Sequence, residues 1–66
     1  MQKIKLTRAR GGKIAINAES ICYYCEATAM DEPTVGANTI IATMDGSEIE
    51  VTETYIEVDN LVGMCF

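Results

Sequence analysis

Cys22 and Cys25, in the run Cys22-Tyr23-Tyr24-Cys25, have the spacing of a redox pair or of half a zinc site, and Cys65 is the third thiol of the chain. Redox pairs with this spacing work at a helix N-terminus, where the dipole lowers the thiol pKa. These two fall instead in a stretch of strand-favouring aromatics, in which positions three apart point to opposite faces. Zinc takes four Cys or His ligands, whereas this chain has three Cys and no His, so only a site shared between subunits would close the shell. The three thiols are therefore expected to be reduced and structural, packed as small apolar groups. Their odd number argues against a disulfide framework.

The absence of histidine removes the commonest general base near neutral pH and excludes the hydrolytic triads that depend on it. Glu48 with Glu50, and Glu53 with Glu57, are spaced as acid and base partners would be. In an acidic chain, however, such carboxylates usually form a solvated face. Gly11-Gly12 is too short for a phosphate-binding fingerprint and leads into a strand rather than a helix. The reading is of a non-enzymatic protein with no catalytic residue, cofactor or metal.

Charge gives the remaining candidates. All five basic residues, Lys3, Lys5, Arg8, Arg10 and Lys13, precede all ten acidic ones, and the net charge is −5. A basic edge of one copy meeting the acidic surface of another, through Glu48 and Glu50, is one reading. Contact between that edge and phosphates, with Tyr23 and Tyr24 as stacking surface, is another. The bland alternative has basic and acidic strands neutralising each other within one subunit.

The elements that must position these groups follow from periodicity. Ile4 and Leu6 alternate with Lys3, Lys5 and Thr7; Ile14 and Ile16 alternate with Lys13, Ala15 and Asn17; and the glycine pair lies between. This predicts a basic hairpin over 3–17, with its lysines opposite its isoleucines. A third strand is predicted over 21–27, then a long loop over 28–38 that contains Pro33 and Gly36. Residues 39–51 form a second hairpin around Asp45-Gly46. A two-residue type I′ turn there pairs Ala42 with Ile49 and Ile40 with Val51, burying those four side chains and turning Glu48 and Glu50 outward; a three-residue turn instead pairs Ile41 with Ile49. Thr54 and Glu57 read as a capping box that opens a helix over 54–62, with Tyr55, Val58, Leu61 and Val62 on one face and Gly63 as its C-cap. The apolar end, Met64-Cys65-Phe66, is expected to pack on the sheet or on a neighbour.

These elements make one domain over 1–66, a small β-rich α+β fold with about five antiparallel strands and a short C-terminal helix. At 66 residues it lies below the roughly 70–80 at which a single core is comfortably stabilising, which predicts a homo-oligomer. No apolar run approaches the roughly 18 residues of a membrane span, and the first residues lack the apolar core of a signal peptide. A cytoplasmic protein with no membrane partner is expected.

Ile4-Lys5-Leu6-Thr7-Arg8, followed after the turn by Gly12-Lys13-Ile14-Ala15-Ile16-Asn17-Ala18-Glu19 and Ile21, resembles the opening of the FlbD-type small proteins. The run from Thr39-Ile40-Ile41 through Asp45-Gly46 to Val51-Thr52-Glu53 is similar to that family's second half. The resemblance implies a non-enzymatic protein of the flagellar and swarming kind. The chain departs from the pattern in the loop 28–38, in Cys22 and Cys25, and in Cys65-Phe66. The leading expectation is a self-associating interaction module with a protein partner in a larger assembly. The alternatives are a small nucleic-acid-binding regulator that uses the basic hairpin, and a phage or mobile-element accessory or virion protein.

Overall fold

A computed structural model of the chain describes residues 2–29 and 34–65. β1 (Lys3–Thr7) and β2 (Lys13–Asn17) form the first hairpin, with Ile4 opposite Ile16 and Leu6 opposite Ile14. A 3-10 turn, Ala18–Ser20, leads to β3 (Ile21–Glu26), and a second, Ala27–Ala29, follows it. β4 (Thr39–Thr43), β5 (Glu48–Val51) and α1 (Tyr55–Cys65) complete the chain. The two sheets are antiparallel, one of β1-β2 and one of β3-β4-β5. An Arg8–Val51 bridge joins them, flanked by hydrogen bonds from the Ala9 amide to the Glu50 carbonyl and from the Thr52 amide to the Thr7 carbonyl, each 2.9 Å. The bridge brings the end of β1 beside the end of β5, and β2 and β3 are each paired on one side only, β2 with β1 and β3 with β4.

The core forms where both sheets face the helix. Ile4, Leu6 and Ile16 from the first hairpin meet Ile41 and Val51 from the second sheet and Val58 from α1. Period two in the strands and the helical spacing of Val58, Leu61 and Val62 bring these side chains to one place. Tyr24 and Ile21 pack at the rim of this cluster.

The second hairpin takes the three-residue turn. Ile41 pairs with Ile49 and Thr39 with Val51, so the two-residue register is corrected. Ile41, not Ile40 or Ala42, shares the core face with Ile49 and Val51. Ile40 and Ala42 are nevertheless buried, on the other face of the central strand opposite Glu50 and Glu48. The turn chemistry explains the choice. The Asp45 carboxylate accepts from the Thr43 hydroxyl and, at 3.0 Å, from the Ser47 amide, while Gly46 alone takes positive φ (+91°). A type I turn closed by a left-handed glycine needs only one such residue, whereas a type I′ turn would force Asp45 there too.

Three further expectations change. Gly63 lies inside α1, because Leu61, Val62 and Cys65 pack against the core and carry the helix past it. β3 stops at Glu26, and a 3-10 turn occupies the start of the expected loop. Residues 30–33 of that loop, with Pro33, lie outside the described residues, and so does Phe66. At the apolar end, Met64 is exposed and Cys65 is half-buried against the core. The Thr54–Glu57 capping box forms as read, with the Glu57 amide donating to Thr54 Oγ1 and the Thr54 amide donating to Glu57 Oε1, both at 3.2 Å.

Candidate interaction surface

The hairpin register sorts the basic residues into two groups. Lys3 lies opposite Asn17, Lys5 opposite Ala15 and Thr7 opposite Lys13, so the three lysines share the face turned away from Ile4, Leu6 and Ile16. All three are exposed. Lys5, Lys13 and Ala15 border a hollow of about 500 Å³ with Thr7 and Glu53. The Glu53 carboxylate in that hollow is already engaged, since both of its oxygens accept the Thr7 amide, at 2.9 and 3.1 Å.

The arginines lie elsewhere. Arg8 and Arg10 follow β1 across the bridge to Val51 and line a hollow of about 230 Å³ with Glu48, Ile49 and Glu50. The basic segment is therefore divided. Its arginine end neighbours the acidic strand of the same subunit, as the bland reading has it, while its lysine face does not.

Glu48 is exposed, but Glu50 is half-buried and committed. The Glu50 carboxylate accepts from the Thr34 hydroxyl at 2.6 Å and from the Thr34 amide at 2.7 Å. Those bonds, followed by the positive charge of Arg10, hold its pKa below the ordinary value. Glu50 anchors the chain that enters β4, so among the expected contact residues it is the one with a structural task.

The cysteines and tyrosines also part company. Cys22 is exposed rather than packed as a buried apolar group, while Cys25 and Cys65 are half-buried and all three thiols are free. A bulge between Ile21 and Tyr23 breaks the regular alternation that would turn Cys22 inward. Tyr23 is 53% exposed on β3. Tyr24 turns inward: its hydroxyl donates to Asp59 at 2.6 Å and its ring lies 5.4 Å from that of Tyr55. Only Tyr23 of the two is free to stack on another molecule. Among the described residues no cluster of His, Cys, Asp and Glu forms a metal cradle, and no helix is long and apolar enough to cross a membrane.

Sequence reasoning missed the edge of β2. The Arg8 amide donates to the Gly12 carbonyl and the Ala18 amide to the Gln2 carbonyl, both at 2.9 Å. In this register the even-numbered pairs exchange the ladder bonds, so the amides and carbonyls of Lys13, Ala15 and Asn17 point away from β1. Within the chain the Asn17 carbonyl accepts from Ser20 Oγ at 2.8 Å, and no described backbone bond engages Lys13 or Ala15 from that side. Period-two reading gives the faces of a strand but not its neighbours, so the sequence carried no signal for this edge. No family model matches the chain, and no curated protein or solved structure matches it significantly.

Proposed function

We propose that the chain is a non-enzymatic interaction module that self-associates and contacts a larger assembly through its basic hairpin. The observation that carries this reading is the lysine face: Lys3, Lys5 and Lys13 stand exposed on one side of β1-β2, away from the acidic strand that neighbours Arg8 and Arg10. Ammonium groups gathered on one face favour an acidic partner surface, and an acidic second copy offers one. The FlbD-like pattern of the same hairpin supports a role of this type, and a cytoplasmic setting goes with the reduced thiols.

Changing Lys3, Lys5 and Lys13 together to glutamine tests the proposal. These side chains lie outside the core, so the variant folds. Sedimentation should show it dissociating at concentrations where the parent stays assembled, and the parent should loosen as salt rises. A folded triple variant with unchanged assembly would overturn the reading. Binding of the parent to a mixed oligonucleotide pool, lost in the variant while assembly survives, would replace it with nucleic-acid recognition.

A further inference from the structure

We infer that two copies of the chain pair through the free edges of their β2 strands, antiparallel and centred on Ala15, in an extension of the self-association proposed above. The two sheet edges differ. β3 carries a bulge, a feature that blunts an edge, whereas β2 is regular and its outer side borders an open hollow whose far wall is the second hairpin. Its outward amides and carbonyls are at Lys13, Ala15 and Asn17; the Asn17 carbonyl already accepts from Ser20 Oγ, and a second strand satisfies the others without rearrangement.

Charge and register select the occupant. With Ala15 opposite Ala15 of the second copy, Ile14 meets Ile16 and Lys13 meets Asn17, so every outward-pointing residue of β2 is used and the arrangement repeats across a two-fold axis. Centring the pair on Lys13 would set two ammonium groups face to face, and centring it on Ile14 would leave Asn17 without a strand partner. The hollow beside β2, about 670 Å³, is lined by Ala15, Asn17 and Ser20 and by three charged groups, Arg8, Asp45 and Glu48. In the Ala15-centred register the second copy's Lys13 arrives at that hollow, where two carboxylates outnumber the one guanidinium. Asn17 Oδ1 is also the one buried side-chain acceptor among the described residues that lacks a hydrogen-bond partner, and a donor-bearing side chain then lies directly opposite it.

Two substitutions at Ala15 test this on the full chain. Ala15 is exposed and its amide takes no part in the β1 ladder, so Ala15→Lys and Ala15→Pro both leave the hairpin's own bonds in place. The first sets like charges opposite each other at the two-fold axis, and the second deletes the central donors of both copies. The parent should sediment at the mass of two chains. Both variants, with unchanged circular dichroism, should bind about tenfold or more weakly. Hydrogen exchange at the Lys13 and Ala15 amides should be slow in the parent and fast in Ala15→Lys. Folded variants that still pair like the parent would overturn this interface and leave self-association standing. A parent that stays monomeric at high micromolar concentration would overturn self-association itself.

Discussion

The backbone amide of Thr7, at the end of β1, donates to both carboxylate oxygens of Glu53, at 2.9 and 3.1 Å, across 46 positions of sequence. One residue earlier, the Thr52 amide donates back to the Thr7 carbonyl. Between them these bonds occupy both backbone polar groups of Thr7 and fix the first hairpin against the segment leading into α1. Glu53 is thus a structural acceptor in a position where its spacing from Glu57 first suggested acid and base chemistry.

Replacing Glu53 with alanine leaves the partly buried Thr7 amide unsatisfied, which costs about 1–3 kcal/mol. In a domain of this size each ~1 kcal/mol lowers Tm by about 4–8 °C. Glu53→Gln keeps one acceptor oxygen and should lose less than half as much. Glu57→Ala, which removes an exposed capping contact, serves as the comparison and should melt above Glu53→Ala. Thermal melts of the three variants followed by circular dichroism check the order.

Tyr24 makes stability depend on alkaline pH. Its hydrogen bond to Asp59, then its burial, then the negative charge of Asp59, push the phenol up to about 12 from an ordinary 10.0. The folded state therefore favours the neutral phenol. That contribution is fully present below pH 10 and is lost as the pH rises toward about 12. Ultraviolet titration should show one of the three tyrosines ionising late, and Tyr24→Phe should remove that late step. The same variant should lose less stability than the parent over this interval when unfolded by denaturant at successive pH values.

Two glycines should respond with opposite signs to alanine. Gly46 holds φ +91° in the second hairpin turn, where a Cβ costs about 1–2 kcal/mol. Gly63 lies inside α1 with open space where a methyl group would stand, so Gly63→Ala should gain about 0.5–1 kcal/mol. Denaturant midpoints of the two variants should fall on either side of the parent. Gly36, whose φ is +89°, belongs with Gly46, although its loop gave no such signal in sequence.

Where local chemistry decides, the sequence was a sufficient guide. Ile4, Leu6, Ile14 and Ile16 alternate without a competing pattern, and the first hairpin forms in the expected register. Thr54 and Glu57 lie three apart, and the capping box forms. Asp45-Gly46 suits two turns that differ by one residue, and the choice rests on bonds from Thr43 and Ser47 that a dipeptide signal does not contain. Gly63 reads as a helix stop only until the packing of Leu61, Val62 and Cys65 is known. The lysine face was legible for the same reason as the hairpin. The separation of Arg8 and Arg10 from it was not, because it depends on the bridge between Arg8 and Val51, which are far apart in the chain.

The Arg8–Val51 bridge also orders events in time. Each hairpin closes a short loop, whereas joining Thr7 to Thr52 and Glu53 closes a long one and must await the synthesis of β5. On the ribosome, Ile4, Leu6 and Ile16 emerge as an apolar strip whose covering residues, Val51 and Val58, are made only near the end of the domain. Until then the nascent first hairpin keeps its apolar face open, and faster closure of the Thr7–Thr52 junction shortens that exposure.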